Sequence, residues 1–584
     1  MRLPYLQAGK AKAQMQDKFL GLCMRETCDP GQFLYTIGLS SDEYPYMAPR
    51  KPRRMIRFCE NGTALLGGDK LAWVSNSKLY YDAEEICTVT SEHPQLVRMG
   101  AYLIVWPDRI IYNTHTHELI SMDVNYVAEG LSVRPCMLSG QEYEYTASDQ
   151  APAYPAQYDY WYNTVSGGLY QYLGDEWQGL DTVYTRLDAA GIGEHIAEYD
   201  VVSIEGMSYP ELNMEAATVY ARGDNYIVVA TGTIRAYEET ANVTVKREAP
   251  QMDYICECGN RLWGCSSEKH EIYGSKLGDP TNWNSYLGIS TDSYAATVGS
   301  EGDFTGIIAY MGYVHFWKED RCHRLYGTRP ENFQLYELAI RGVKTGCSKS
   351  LCIVNGILYY VSREGVMAFD GSSPVCVSGV LGDMQLYEAV AGAHGDKMYL
   401  SAWAKVNIPT YGEAKYFFEE GGNMLLVMDS SKGLWHLEDT DGAVVGFAST
   451  SEGDFMLRNS LLYTIDGRES EYQASDSYLE DEREIEWICE TGDSGEDSPY
   501  QKWIKKLTFR VKAERGSRLM IDIMYDNDGN WQRALSYEAQ GKRSVTLPIR
   551  TRRCDHYRLR YTGNGRILIL SVGKNYEEGS ERRV

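Results

Sequence analysis

The sequence predicts an all-β chain: a β-propeller of six or seven blades, interrupted by an inserted domain and followed by a C-terminal antiparallel β-sandwich. Three observations carry this expectation. The 584 residues include 46 Tyr against 12 Phe, together with 55 Gly. Aromatic side chains suit half-buried strands, and glycine suits the tight turns that join them. A hairpin unit then recurs about every 40 to 50 residues, the spacing of four-stranded propeller blades. Finally, apolar and polar residues alternate sharply from Lys502 onward, the period of a sheet with one buried face.

Taken in order, residues 1–57 read as an extended N-terminal arm. The run from Gly38 to Arg50 holds Pro45 and Pro49, and each proline pushes its predecessor into an extended conformation. First propeller blades follow over 58–126. Their unit is a short apolar run, a turn and a second run ending in an aromatic residue, as in Leu71 to Asp82 and Tyr102 to Tyr112. Residues 127–212 read as an inserted Tyr-rich domain, with Gln157-Tyr158-Asp159-Tyr160-Trp161-Tyr162 at its centre and a short helical run near Val183 to Ala190. The remaining blades occupy 213–467. Gly259-Asn260 and Asn355-Gly356 are placed there between apolar runs, where a tight hairpin needs positive φ. Met398 to Trp403, Met424 to Trp435 and Phe455 to Ile465 continue the unit. A series of sandwiches or a barrel would use similar hairpins, but the length of the repeat exceeds one sandwich. An acidic linker or edge strand spans 468–500, and a basic sandwich spans 501–584.

Charge narrows the function. The formal net charge is −24, which argues against a general nucleic-acid binder, because neutralising phosphates takes Lys and Arg. The distribution is uneven: Gln501 to Val584 hold 19 basic and 9 acidic residues, so the remainder carries about −34. Such asymmetry suggests modules with different neighbours. No apolar run of about 18 residues is present, so no membrane span is expected. Residues 1–18 lack an apolar h-region, so no signal peptide is expected either. The 14 cysteines are scattered and read as small apolar core residues.

Motifs for chemistry are weak. Cys256, Cys258, Cys265 and His270 lack the paired CxxC arms of a zinc site. Asp526-Asn527-Asp528-Gly529-Asn530 alternates oxygen ligands but lacks the later bidentate Glu of a calcium loop, and serves equally as a hairpin turn. GxSxG, HExxH and a phosphate-cradling loop are absent, and Asp429 to Trp435 is only a distant likeness to the Asp-box turn of propeller sialidases. The expectation is a non-enzymatic protein without a cofactor or metal.

Several blade segments resemble the packaged-DNA stabilisation proteins, also called tail nozzle or tail hub proteins, of short-tailed bacteriophages. The resemblance lies in Ile272 to Trp283, with its Gly278-Asp279-Pro280-Thr281-Asn282-Trp283 loop; in Leu358 to Gly371 with Ser378; and in Leu425 to Trp435. Ser40 to Arg50 and Pro548 to Arg560 look like structural proteins of phages of gut bacteria. The resemblance covers about two-thirds of the chain, is structural rather than catalytic, and leaves the Tyr-rich insertion and the basic C-terminal domain without a counterpart. It implies a homo-oligomeric ring, expected to be a hexamer, made in the bacterial cytoplasm and resident in the virion tail. The ring's neighbours are the portal, the adaptor and other tail proteins. It retains packaged double-stranded DNA and conducts it during ejection without specific binding. The residues expected to serve assembly are Tyr44, Pro45, Pro49 and Arg50 in the arm, Asp279, Pro280 and Trp283 in the loop, and Arg552 and Arg553 near the C-terminus. The arm is expected to wrap a neighbour, so its removal should leave the propeller folded. The competing readings are a receptor- or glycan-binding tail protein, favoured by the aromatic cluster around Tyr158, and, behind it, a tail-associated glycan hydrolase.

Overall fold

The computed structural model describes residues 11–180, 183–231, 236–474, 482–495, 500–540, 543–548 and 552–578. Part of the acidic run around Glu480 and Asp481, and Ile549 to Thr551 of the C-terminal segment, lie outside the described residues.

Seven four-stranded antiparallel sheets form a β-propeller. Blade 1 runs from Ala64–Leu66 to Glu84–Thr88, and blade 2 from Gln95–Met99 to Leu119–Ser121. Blades 3, 4 and 5 begin at Tyr254–Glu257, Gly306–Tyr310 and Cys352–Val354. Blade 6 begins at Gln385–His394, and blade 7 comprises Val444–Thr450, Gly453–Arg458, Leu461–Thr464 and, from the other end of the chain, Arg54–Phe58. Two-residue turns with positive φ at both positions join strands within blades: Asn76-Ser77, Asn355-Gly356 and Asn459-Ser460. This is the turn whose twist matches that of the strands it connects.

The ring closes through its cores. Separate apolar clusters lie between blades 1 and 2 (Val74, Leu103, Tyr112), 2 and 3 (Ile104, Trp106, Ile255), and 3 and 4 (Cys265, Val314, Phe316). One large cluster spans blades 4 to 6, and further clusters join 6 to 7 and 7 back to 1, the last with Trp73, Leu457 and Tyr472. Blades 7 and 1 approach so closely that a Cβ on Gly67 would lie 2.0 Å from the Ser449 carbonyl oxygen.

The N-terminal segment is not an extended arm. Ala11–Gln16 pairs with Ile567–Glu578 in one sheet of a C-terminal sandwich, while Gly21–Leu22 and Gln32–Ile37 extend its other sheet. The sandwich therefore takes strands from both ends of the chain. Its core holds Phe19, Phe33 and Met47 beside Trp487, Phe509, Ile521 and Tyr561. The region expected to be an acidic linker contributes the strand Glu486–Thr491 to the middle of that sandwich. Gly38, at φ +78, lets the N-terminal segment lie against this strand, since a Cβ there would meet the Glu486 carbonyl oxygen at 2.5 Å.

The insertion between blades 2 and 3 is larger than expected. An eight-stranded curled sheet runs from Val124–Ala128 to Val243–Arg247 around a core of Val133, Leu187, Ile204, Val219 and Val245. Val183–Asp188, expected to be helical, is a strand paired on both sides, with Val183, Thr185 and Leu187 buried in alternation. A second four-stranded sheet, Tyr145–Ser148 to Glu176–Gly179, carries the Tyr-rich stretch. Trp161 stacks on Tyr170 at 5.1 Å, and Trp177 packs against Trp161 and Tyr172.

Candidate functional site

Several of the charged side chains that the fold buries gather at the joints between the propeller and the two β units attached to it. At the first joint, Arg53 is 1% exposed. It precedes the strand that closes blade 7 and forks onto the end of blade 6. Its Nη2 donates to Glu438 Oε2 at 2.8 Å, its Nη1 donates to Asp439, and Arg458 of blade 7 donates to the other Asp439 oxygen at 2.6 Å. Burial alone would raise the Asp439 pKa, but Arg53 and Arg458 outweigh it and hold the carboxyl at about 2. Beside this cluster, Lys397 donates to Ser40 Oγ at 2.8 Å and to Asp42 at 2.6 Å, and Ser41 donates to Asp429 at 2.6 Å. One short run of the N-terminal segment is thus bonded to two strands of blade 6.

At the second joint, blade 6 sends a protrusion toward the sandwich, with a helix over Glu413–Glu420. Phe418 packs on Tyr35 at 5.6 Å, Thr410 Oγ1 donates to Glu490 at 3.0 Å, and Arg558 donates to the Pro409 carbonyl. Glu490, fully buried, also accepts from Arg560 at 2.9 Å. Some of the basic residues of the C-terminal region therefore hold that region to its own propeller.

The third joint ties the inserted domain to blade 3 through residues 275–293. Asp200, 0% exposed, accepts from Arg247 and from Asn282 Nδ2, the latter at 2.9 Å. Arg247 reaches back to the His195 carbonyl at 3.2 Å. The loop itself is braced by buried Arg261, which donates to the carbonyls of Ser275 at 2.7 Å and Ser290 at 3.0 Å.

The residues expected to serve assembly fall at separate places. Tyr44 is exposed and Pro45 half-buried, while Pro49 is buried in a two-residue ladder with Leu39. Arg50 is buried and grips Glu482 with two bonds of 2.6 and 3.0 Å. Asp279 caps its own turn by accepting from Thr281, Pro280 is buried, and Trp283 joins the core between blades 2 and 3. Arg552 pairs with Asp528 at 3.2 Å and lies over Tyr525, and Arg553 lies over Trp503. Sequence reading did not single out Arg53, Asp439, Asp200 or Arg247. No local signal marks them, because Arg53 and Asp439 are 386 positions apart.

Among the described residues, no three His, Cys, Asp or Glu side chains are grouped to hold a metal ion. All 14 cysteines are free thiols, nine of them buried. Asp526 at the Asp526 to Asn530 turn accepts from the backbone N–H of Asp555 at 2.7 Å. No helix is long and apolar enough to cross a membrane among the described residues.

No family model matches the chain, and no curated protein does. Among solved structures, BamB from Moraxella catarrhalis aligns over 71% of this chain and 99% of its own at 8% identity, with a TM-score of 0.31. PorZ, a surface component of the type-IX secretion system of Porphyromonas gingivalis, aligns over 89% and 77% at 10% identity, with a TM-score of 0.25. A Bacteroides ovatus xyloglucan-locus protein, GH43B, covers 55% and 96% at 9% identity, with a TM-score of 0.21. At such values the fold is read from the chain's own strand order, and no activity is carried across.

Proposed function

We propose that the chain is a non-catalytic structural subunit of a bacteriophage tail, one of six copies in a nozzle or hub ring on the path of packaged DNA. The observation that supports this best is the use made of buried charge. Lys397 of blade 6 holds Asp42 of the N-terminal segment, Thr410 donates to buried Glu490 of the sandwich, and Asn282 donates to buried Asp200 of the inserted domain, so a buried charge takes part where each β unit meets the propeller. A wall that holds pressurised DNA needs rigid joints of this kind. The negative charge outside the C-terminal region suits a lumen that repels phosphates and lets DNA slide. With the N-terminal segment bonded into its own subunit, contact between copies falls to the inserted domain and to exposed blade loops. The test is immunogold labelling of intact phage particles with antibody to the purified chain. Gold is expected at the tail, below the head. Particles that package DNA yet carry none of the chain would contradict the assignment.

A second reading, a glycan-binding tail protein, is favoured by one feature. Tyr154 and Tyr158, 99% and 67% exposed, lie in the connection between Tyr145–Ser148 and Tyr160–Asn163 of the small inserted sheet. Exposed rings in such numbers also serve subunit contacts.

A further inference from the structure

Between the inserted domain and blade 3 lies an open groove of about 530 Å³, within the range of about 300 to 1,000 Å³ typical of ligand sites, and at a domain boundary where such sites concentrate. Its floor is the outward face of three adjacent strands of the inserted domain. Val202, Ile204, Ala217 and Val245 point into that domain's core, so Ser203 and Thr218 point out into the groove. The floor residues are short and leave room above the sheet. Tyr199, from the inserted domain, and Tyr286, from the loop of blade 3, line the groove from its two sides.

Tyr286 is 59% exposed, yet its loop is firmly built. Buried Asp292 accepts from the backbone N–H of Gly288 at 2.6 Å, the N–H of Ile289 at 3.0 Å and Ser285 Oγ at 3.1 Å. Arg261 braces the same loop from beneath. The fold thus buries an arginine and an aspartate to hold up a loop tip on which Tyr286, Leu287 and Ile289 stay exposed. Such a tip adds no core, and a rigid exposed apolar tip marks a contact site.

Charge and hydrogen-bonding capacity select the ligand. Glu215 and Glu248 line the groove; of the lysines beside it, Lys246 sits 3.7 Å from Glu205 and Lys276 lies over the Tyr199 ring. Phosphate and other anionic groups would meet net negative charge. What remains is aromatic faces on both sides, hydroxyls on the floor, and carboxylate and amide acceptors and donors at the rim. We infer that this groove binds an uncharged or amino-substituted oligosaccharide, a pyranose ring lying against Tyr286 and Tyr199 while its hydroxyl or amino groups bond Ser203, Thr218, Asn284 and Glu215. This goes beyond the subunit role and stands whether or not the chain forms a ring.

The experiment is isothermal titration of the full chain with four probes at millimolar concentration: chitotriose, the glucosamine trimer, cellotriose and mannotriose. At least one is expected to bind. Tyr286→Ala is expected to weaken that binding by about tenfold, the loss of one ring stack. Tyr416→Ala, on the helix Glu413–Glu420, is expected to leave it unchanged. Both residues are exposed, and circular dichroism checks that each variant folds. Failure of all four probes to bind would overturn the inference, as would binding that survives Tyr286→Ala or is lost with Tyr416→Ala. Oligomeric state, measured on the same samples, reports separately on the ring.

Discussion

Arg53 is the side chain on which the N-terminal segment, blade 6 and blade 7 converge. Replacing it with Met would leave Glu438 and Asp439 buried without their shared cation. Unfolding in urea is expected to show a loss of about 3–5 kcal/mol, the cost of breaking a buried pair from one side. Arg53→Lys is expected to recover only part of this, because an ammonium cannot fork onto two carboxylates. A loss below about 1 kcal/mol would mean that the cluster relaxes into water. The pH dependence has two stages. Burial lowers the His436 pKa to about 3, and those of His315 and His323 to about 4. The unfolded imidazoles take a proton near pH 6.5 and the folded ones do not, so stability falls as pH drops from about 6.5 toward 4. Asp439 and Asp429 are held at about 2, so their contribution is present above about 4 and is lost between about 4 and 2. Melting temperature measured from pH 7.5 to 3 is expected to decline from pH 6.5, and His436→Gln to flatten the upper stage. A flat profile down to pH 4 would contradict it. Little of this was legible in the sequence. Arg50 was singled out for assembly and Arg53 was not, since nothing local announces a partner hundreds of residues away.

At the scale of elements, the blades were legible because their signals are local. Asn355-Gly356 and its flanking apolar runs fix a hairpin within a dozen residues, and Val354 indeed faces Ile357 across it. The closing strand was not legible. Arg-Met-Ile-Arg-Phe over Arg54–Phe58 carries two charges and follows a proline-rich run, and its pairing partner is Leu461–Thr464. It read as part of an arm because its fourth-strand role is set by ring closure alone. Val183–Asp188 was misread as helical because Arg186 and Asp188 interrupt its apolar pattern; they pair with each other at 2.6 Å on the half-exposed face. The closing strand gives a sharp expectation. Deleting residues 1–58 should remove one strand of blade 7 and three strands of the sandwich. The shorter protein is expected to aggregate or to lose its near-UV circular dichroism. A soluble, cooperative fold from that deletion would show that blade 7 closes without Arg54–Phe58.

At the scale of the molecule, both ends of the chain meet in one sandwich, and that sandwich docks on the propeller through Glu490, Arg558 and the Glu413–Glu420 protrusion. The charge asymmetry visible in the sequence proves in part internal: Arg558 and Arg560 serve the joint, and Arg566 reaches Glu43 of the N-terminal segment at 2.7 Å. Duplex DNA is therefore expected not to be retained by the purified chain at physiological salt, in a gel-shift or anisotropy titration. Tight, salt-sensitive binding would argue that the basic face is a nucleic-acid site instead. The proposed ring itself is tested most directly by negative-stain class averages and mass photometry of the purified chain, alone and with its tail neighbours. A closed sixfold ring of about 400 kDa, six times 66.1 kDa, with an open centre wide enough for duplex DNA is the expected result. A monomer or trimer that never closes a ring, even with those neighbours present, would contradict it.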